Sequence, residues 1–258
     1  MFDTIIREIN GPVATLTLNR PAVRNAMSNR MVDELLDCFT ELAGEAYADI
    51  RAVILRAAGD VFCAGGDVRD LSASGSPGES DAVGRLDQLL RAVNEAPQVV
   101  IARVQGPALG GGLGLICVAD IVVAGSRASF GMPEVRLGIV PALISPFVVA
   151  RLGLPRARYL MLTGQRFSAE EAYAFGLVHE LFPDEDLEVA GKGVVDEILK
   201  CAPHALRECK RLLFTVATDS DTLAYRIDLL NRLRASDEAQ QGMRAFLTKQ
   251  TAPWIPNP

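Results

Sequence analysis

Two glycine-rich turns and one carboxylate are the residues of this sequence with the clearest chemical potential. The stretch PALGGGLGLICVAD at 107–120 places Gly110, Gly111, Gly112 and Gly114 within five positions, directly ahead of an apolar run to Ala119. A helix that starts on glycine presents unpaired N–H groups and the positive end of its dipole, and these stabilise an approaching anion. A second turn, Ala64, Gly65 and Gly66 within GDVFCAGGDV at 59–68, leaves the backbone equally bare. Together the turns could supply two facing N–H donors. Paired donors are what a thioester requires when a proton leaves its α-carbon, because charge then gathers on the carbonyl oxygen as an enolate. Glu134 in FGMPEVRLG follows Pro133 and is the candidate carboxylate for that proton transfer. Each feature also has a plainer account. The glycines could only permit close strand-to-helix packing, and Glu134 could be a surface turn carboxylate.

Two nucleotide-binding readings of the glycines fail on spacing. A dinucleotide fingerprint starting at Gly110 puts Leu115 in its sixth position, and one starting at Gly112 puts Cys117 there, where glycine is required. A phosphate loop requires Lys and then Ser or Thr after its last glycine, whereas Gly112 and Leu113 follow Gly111.

The elements that must position these residues alternate through the first half of the chain. Segments 4–9 and 13–18 read as strands around an Asn10-Gly11 turn, stopped by Pro21. Ser28 caps a predicted helix to about Ala43, with Met31, Leu35, Leu36, Phe39 and Leu42 on its apolar face. Strands are expected at 52–57, 98–104 and 120–125, with helices over 81–94 and from the glycines to Ala119. The stretch LSASGSPGES at 71–80 has loop composition and could act as a lid or a loose connection. After about Ser145 the strand signal fades, and helices are predicted at 145–152, 155–162, 168–175, 187–200, 205–217 and 222–234. In the last of these Ile227, Leu230 and Leu233 lie on one face of an amphipathic packing helix, with a solvated helix face as the simpler account and a trimer contact as the alternative. The expected division is a core over 1–200 and a C-terminal helical region over 201–258.

Composition narrows the function classes. A chain of 258 residues, 49% hydrophobic, can bury one substantial core. A formal charge of −6 argues against nucleic acid as a partner, since phosphate binding draws on clustered Lys and Arg. The five cysteines are odd in number and form no CxxC pair, which points to reduced thiols in a cytoplasmic setting rather than to disulfides or a zinc site. The start MFDTIIREIN lacks signal-peptide character. The longest uncharged runs, 106–119 and 137–150, fall short of the roughly 20 residues needed to span a bilayer. No metal ligand set is expected. His179 and His204 read as structural, without an acid and nucleophile in triad order, and Cys63 and Cys117 as packed small thiols.

The motifs LNRPAVRNAMS (18–28), FCAGGDV (62–68), GPALGGGLGL (106–115), ADIVVAG, FGMPEVRLGIVP and LTGQRFSAEEAYAFGLV (162–178) together resemble the enoyl-CoA hydratase/isomerase, or crotonase, superfamily nearly end to end. The resemblance implies an α/β fold, a spiral of β-β-α units followed by a C-terminal α-helical trimerisation region, with trimers that often pair into hexamers. It implies an acyl-CoA thioester substrate and no separate cofactor. The N–H groups of Gly66 and Gly111 would form the oxyanion hole, with Glu134 as the catalytic carboxylate. Arg24, Ala26, Met27, Ala64, Asp67, Val68, Leu109, Gly114 and Pro133 would line the acyl-CoA site. For Asp67, loop support through hydrogen bonds is preferred over catalysis. Phe246 and Lys249 would reach a neighbouring subunit's CoA.

One departure bears on the reaction. Two-carboxylate hydratases of this superfamily carry a Glu two residues after the glycine triplet and another twenty residues later, and here those positions hold Gly114 and Glu134. The leading expectation is a hydratase acting on 2-enoyl-CoA, similar to bacterial methylglutaconyl-CoA and isohexenylglutaconyl-CoA hydratases, with Arg69 or Arg136 holding a second substrate carboxylate. A single-Glu isomerase is the alternative, since one base can remove and return a proton. A non-catalytic acyl-CoA-binding or interaction protein is the alternative of another class. Dehalogenating relatives use an Asp eight residues past Glu134, and Ala142 stands there.

Overall fold

The Asn10-Gly11 turn closes a hairpin in which β1 (Ile5–Asn10) and β2 (Val13–Leu18) pair antiparallel, Ile5 opposite Leu18. The computed structural model describes residues 2–67, 70, 79–218 and 221–256. Beyond the hairpin the pairing turns parallel. With β3 (Ala52–Ala57), β4 (Val99–Val104), β6 (Ile121–Gly125) and β9 (Glu180–Phe182), the main sheet runs in the order β1-β2-β3-β4-β6-β9. Parallel strands buried on both faces read as continuous apolar runs, and AVILRA and VVIARV are such runs. Their alternate residues enter different cores: Val53, Leu55, Val100 and Ala102 join the larger one, while Ala52, Val99 and Ile101 face a smaller one.

The larger core lies under α1 (Asn29–Leu42) and α2 (Glu79–Asn94), which pack on each other. Ser28 Oγ accepts the Met31 N–H at 3.3 Å, the expected cap, and Met31, Leu35, Phe39 and Leu42 are buried while Leu36 is half-buried. The smaller core is closed by α6 (Leu187–Leu199). Between them in sequence come α3 (Gly111–Val118), α4 (Ser145–Thr163) and α5 (Ala169–Ala174). The break expected between 152 and 155 is a kink inside α4, where Gly153 takes φ 73° and Pro155 follows.

Glu34 ties α1 to the hairpin. Its carboxylate accepts from the Asp3 and Thr4 N–H groups at 2.9 Å each and from Arg30 Nε at 2.7 Å. Burial alone would raise its pKa, but bonds from the Thr4 hydroxyl, the Asp3 N–H, Arg30 and the Thr4 N–H outweigh it and bring the value down to about 2. A depressed carboxylate stabilises the fold above its ordinary pKa of 4.5, and that contribution is lost as pH falls toward about 2. Glu34→Gln is therefore expected to melt below the parent at pH 7, with the gap closing in this acid window. A gap that stays constant with pH would refute the assignment.

Four sequence expectations need correction. Strands do not stop at Ser145, since β8 (Arg166–Ser168) and β9 follow it, each too short for an alternation signal. A further helix, α9 (Asp237–Thr248), capped by Ser236, follows α7 (Pro203–Ala217) and α8 (Leu223–Arg234). In α8 the buried residue is Leu229, 4% exposed, whereas Ile227 and Leu230 are 50% and 56% exposed, so the predicted packing stripe faces outward in the single chain. The helix expected from 81 begins at Glu79, and the loop residues 71–78 lie outside the described residues. No helix among the described residues is long and apolar enough to cross a membrane.

Candidate active site

A second, three-stranded sheet assembles the candidate residues. β5 (Ala108–Leu109) runs parallel to β7 (Ser129–Gly131), with Leu109 opposite Gly131, and β7 pairs antiparallel with β8. The Gly110 N–H extends this pairing to the Gly131 carbonyl at 3.0 Å. Three residues past Gly131, Glu134 sits in a single 3₁₀ turn, Pro133–Leu137, whose opening proline has its φ already set for a helical start. The carboxylate and the glycine turn are thus held by one small sheet, backed by the Phe130 and Phe167 rings with centroids 5.6 Å apart.

Two isolated bridges fix the donors. In the Cys63–Ala108 bridge the Cys63 N–H donates to Pro107 O at 3.1 Å and the Leu109 N–H to Cys63 O at 2.9 Å. In the Met27–Gly66 bridge the Met27 N–H donates to Gly65 O at 2.8 Å and the Asp67 N–H to Met27 O at 2.9 Å. Neither bond of the second bridge engages the Gly66 N–H. Gly111 is the first residue of α3, where an N–H has no carbonyl one turn earlier. The glycine cluster also serves packing: a Cβ on Gly112 would lie 2.5 Å from Cys63 Cβ. The packing reading therefore holds at Gly112, while the Gly111 N–H is left without an intrahelical partner.

Gly110 adopts φ 50°, ψ −120°, and a Cβ there would lie 3.0 Å from Glu134 Oε1. Glu134 Oε2 is buried without a hydrogen-bond partner. Burial pushes the Glu134 pKa above its ordinary 4.5, partly offset by a hydrogen bond from its own backbone N–H. A carboxyl so placed can hold or release a proton nearer neutrality than a solvated one. Gly110→Ala is expected to lower stability by about 1–3 kcal/mol through backbone strain. It should also depress turnover, because the new methyl presses on Oε1. Melting curves and steady-state rates check both, and wild-type turnover would refute the placement.

These groups line one cavity of about 330 Å³. Its walls carry Val32, Leu86, Leu109, Ile139, Val140 and Ile144, and the charged residues among its described lining are Asp67, Asp70 and Glu134. Among the described residues no cluster of three or more His, Cys, Asp or Glu could hold a metal ion.

Comparison with known proteins decides the family. The profile described as Enoyl-CoA hydratase/isomerase matches residues 8–257. The chain belongs to the enoyl-CoA hydratase/isomerase family. It is similar to a putative enoyl-CoA hydratase of Thermus thermophilus, 34% identical over 245 residues that cover 93% of this chain and 96% of the relative. Among solved structures, an enoyl-CoA hydratase/isomerase from Marinobacter aquaeolei superposes with a TM-score of 0.91 at 39% identity, covering 98% of this chain and 99% of that one. Pseudomonas aeruginosa AtuE gives 0.92 at 38%, covering 98% and 100%. The α/β architecture with its helical C-terminal region is thus the crotonase fold.

Within this enoyl-CoA hydratase/isomerase fold, Gly66, Gly111, Glu134, Met27, Ala64, Asp67, Leu109 and Pro133 all line the cavity. Arg24, Ala26 and Gly114 do not, and Val68 lies outside the described residues. Arg24 is exposed in the left-handed region at φ 54°, its carbonyl accepting the Ala64 N–H at 3.0 Å. Ala26 is half-buried and offers its carbonyl to Arg20. Of the residues considered for a substrate carboxylate, Arg136 points instead to the Thr163 carbonyl, at 3.3 Å from Nε, and Arg69 lies outside the described residues. Phe246 is 83% exposed.

Arg20 and Asn25, both within the LNRPAVRNAMS motif, brace the segment that carries Met27, and neither was singled out individually from the sequence. Arg20 Nη2 lies 3.0 Å from Asp67 Oδ2 while Nη1 holds Ala26 O, so one guanidinium spans both sides of the Met27–Gly66 bridge. Asn25, fully buried at φ 51°, bonds the Ala58 and Val61 carbonyls at 2.8 and 2.7 Å. The Asn-containing turn was the available signal, since Asn tolerates this backbone region. His179 Nδ1 accepts the Val122 N–H at 2.9 Å, and burial followed by Arg151 repulsion lowers its pKa, a structural histidine as expected. Burial pushes the Cys63 thiol up to about 11 and Cys117 up to about 12, so both are inert packed thiols.

Proposed function

We propose that the chain adds water to 2-enoyl-CoA thioesters with Glu134 as its single acid/base. Glu134 takes a proton from water as the hydroxide oxygen bonds to C3. The electron pair of the double bond moves to the thioester oxygen, held by the Gly66 and Gly111 N–H groups, and Glu134 then returns the proton to C2 as the carbonyl re-forms. The product is a 3-hydroxyacyl-CoA, and this sequence of steps draws on no metal or redox cofactor. The observation that carries the reading is Glu134 itself, a buried carboxylate with an unpartnered oxygen and raised pKa in the same cavity as both glycine turns.

The apolar walls favour a neutral acyl chain over a glutaconyl-type dicarboxylate, because the charged groups among the described lining residues are carboxylates. CoA would lie along Arg24, Ala26 and Ala64 on the bridge that carries Gly66. A homotrimer, alone or paired into a hexamer, is part of the proposal. It is supported by Leu213, Phe246 and Leu247, which are 65%, 83% and 79% exposed on α7 and α9. A cytoplasmic setting is supported by five free cysteines.

Double-bond migration is the second reading, favoured by the single carboxylate that Gly114 leaves. Product masses from 2-enoyl-CoA, 3-enoyl-CoA and 3-methylglutaconyl-CoA in H₂¹⁸O separate the possibilities. Hydration predicts ¹⁸O in the product from 2-enoyl-CoA. Isomerised product without ¹⁸O would replace hydration by migration, and tight acyl-CoA binding without turnover would point to a non-catalytic binding protein.

A further inference from the structure

The Gly66 and Gly111 donors are aimed by different means. Gly111 opens α3, so the helix sets the direction of its N–H. Gly66 belongs to no such element. It sits in the isolated Met27–Gly66 bridge, next to Gly65 at φ 100°, and two successive glycines leave that backbone free to turn. Two hydrogen bonds across one bridge do not by themselves fix where a third N–H points. Arg20 grips the bridge from outside. Its Nη1 donates to Ala26 O at 2.5 Å, one residue before Met27, and its Nη2 to Asp67 Oδ2 at 3.0 Å, one residue after Gly66. The guanidinium fork thus clamps the two segments of the bridge to each other, with Asp67 only 6% exposed. Arg20 is itself anchored. It follows β2 by two residues, its N–H donates to Asn25 Oδ1 at 2.8 Å, and its carbonyl accepts the Asn25 N–H at 2.9 Å. Arg24 and Asn25 both stand at positive φ, 54° and 51°, a corner that residues with side chains keep only where surrounding bonds hold it.

We propose that Arg20 is a positioning residue for the reaction: by clamping Ala26 to Asp67 it aims the Gly66 N–H into the cavity, at the place where the thioester oxygen gains charge. The inference rests on the reading that the Gly66 and Gly111 N–H groups hold that oxygen. Arg20 is not among the described residues that line the cavity, so it acts through the bridge and not on the substrate. A donor contributes most to rate when it points at the charge that develops in the transition state. A misdirected N–H still leaves the CoA ester its other contacts. Loss of Arg20 is therefore read in kcat. The same guanidinium also holds the segment along which CoA would lie, and a role in binding CoA would be read in KM instead.

Two variants test it. Arg20→Lys keeps a cation beside Asp67, but an ammonium on a flexible stem does not reproduce the planar fork. Arg20→Met removes the charge and both bonds. With 2-enoyl-CoA, Arg20→Met is expected to lower kcat by roughly 10- to 100-fold, the scale of a displaced catalytic group. KM should stay within about threefold of the parent, since the lost interaction belongs to the transition state. Arg20→Lys should fall between parent and Arg20→Met. The aim of the N–H is read directly by infrared difference spectra of bound butyryl-CoA labelled with ¹³C at the thioester carbonyl, a saturated ligand that cannot be hydrated. In the parent the bound carbonyl stretch should lie below that of the free ester, and it should move back toward the free value in Arg20→Lys and further in Arg20→Met. A lowered melting temperature with parental kcat and parental stretch would make Arg20 a structural brace alone and overturn the proposal. Raised KM with unchanged kcat would overturn it in favour of CoA binding. Should Arg20→Met not fold, Arg20→Lys decides on the same readings. A parent that shifts the butyryl-CoA carbonyl yet turns over no enoyl-CoA would sink the proposed hydration, while the variants' spectra still decide the role of Arg20. A parent that leaves the stretch unshifted would overturn the inference.

Discussion

Glu134→Gln is expected to lower kcat by roughly 10²–10⁴-fold, the range of one positioned acid/base group, while folding is preserved or improved. The amide is nearly isosteric and cannot ionise. Burial raises the Glu134 pKa above 4.5, so the ionised carboxylate is a cost to the folded chain. The sign follows from linkage: relative stability is full below 4.5, where the carboxyl is protonated in both folded and unfolded chains, and is lost as pH rises through the elevated folded value. The Gln variant keeps that stability. It should melt at or above the parent at pH 7, with the difference vanishing in acid. In the parent, kcat/KM for hydration should rise with pH through an ionisation above 4.5, as the base form appears. A variant within tenfold of parental kcat would remove Glu134 from the chemistry.

Gly111→Pro is expected to cost roughly 10²–10³ in kcat, the usual consequence of losing one oxyanion donor. The first helical position accepts proline, because its N–H makes no intrahelical bond. The matched control is Gly111→Ala. Either substitution places a Cβ 3.2 Å from Met27 Sδ, near the movable end of a flexible side chain, but only proline removes the N–H. Alanine should therefore stay near parental turnover while proline loses the donor's full contribution. Equal losses in the two variants would mean that packing against Met27, and not the N–H, is what position 111 supplies.

These expectations meet at a site whose parts come from distant stretches of chain. The Met27–Gly66 bridge, the Cys63–Ala108 bridge and the β5–β7 pairing join four segments around the cavity. The Arg20–Asp67 pair lies behind the first of them, with Asp67 buried and Arg20 largely so. That arrangement explains Asp67 without a catalytic role, since its Oδ2 already holds the guanidinium that also grips Ala26.

Local sequence determined much of this protein. Ser28 ahead of a 3/4-spaced apolar face specified α1, the Asn10-Gly11 turn between alternating segments specified the hairpin, and AVILRA specified β3 to the residue. These signals are readable because capping, turn chemistry and periodicity act within a few residues. The glycine turns and Glu134 were legible as candidate chemistry for the same reason. Tertiary structure alone decided the rest. β5, β7 and β8 are two or three residues long, too short to show a period, yet they bring Glu134 to Gly110. Ile144 meets Gly114 across thirty positions of chain, and no local preference encodes a contact between an isoleucine and an absent side chain. The outward stripe of α8 carries the same apolar spacing as a buried one, because periodicity marks a face without saying what covers it.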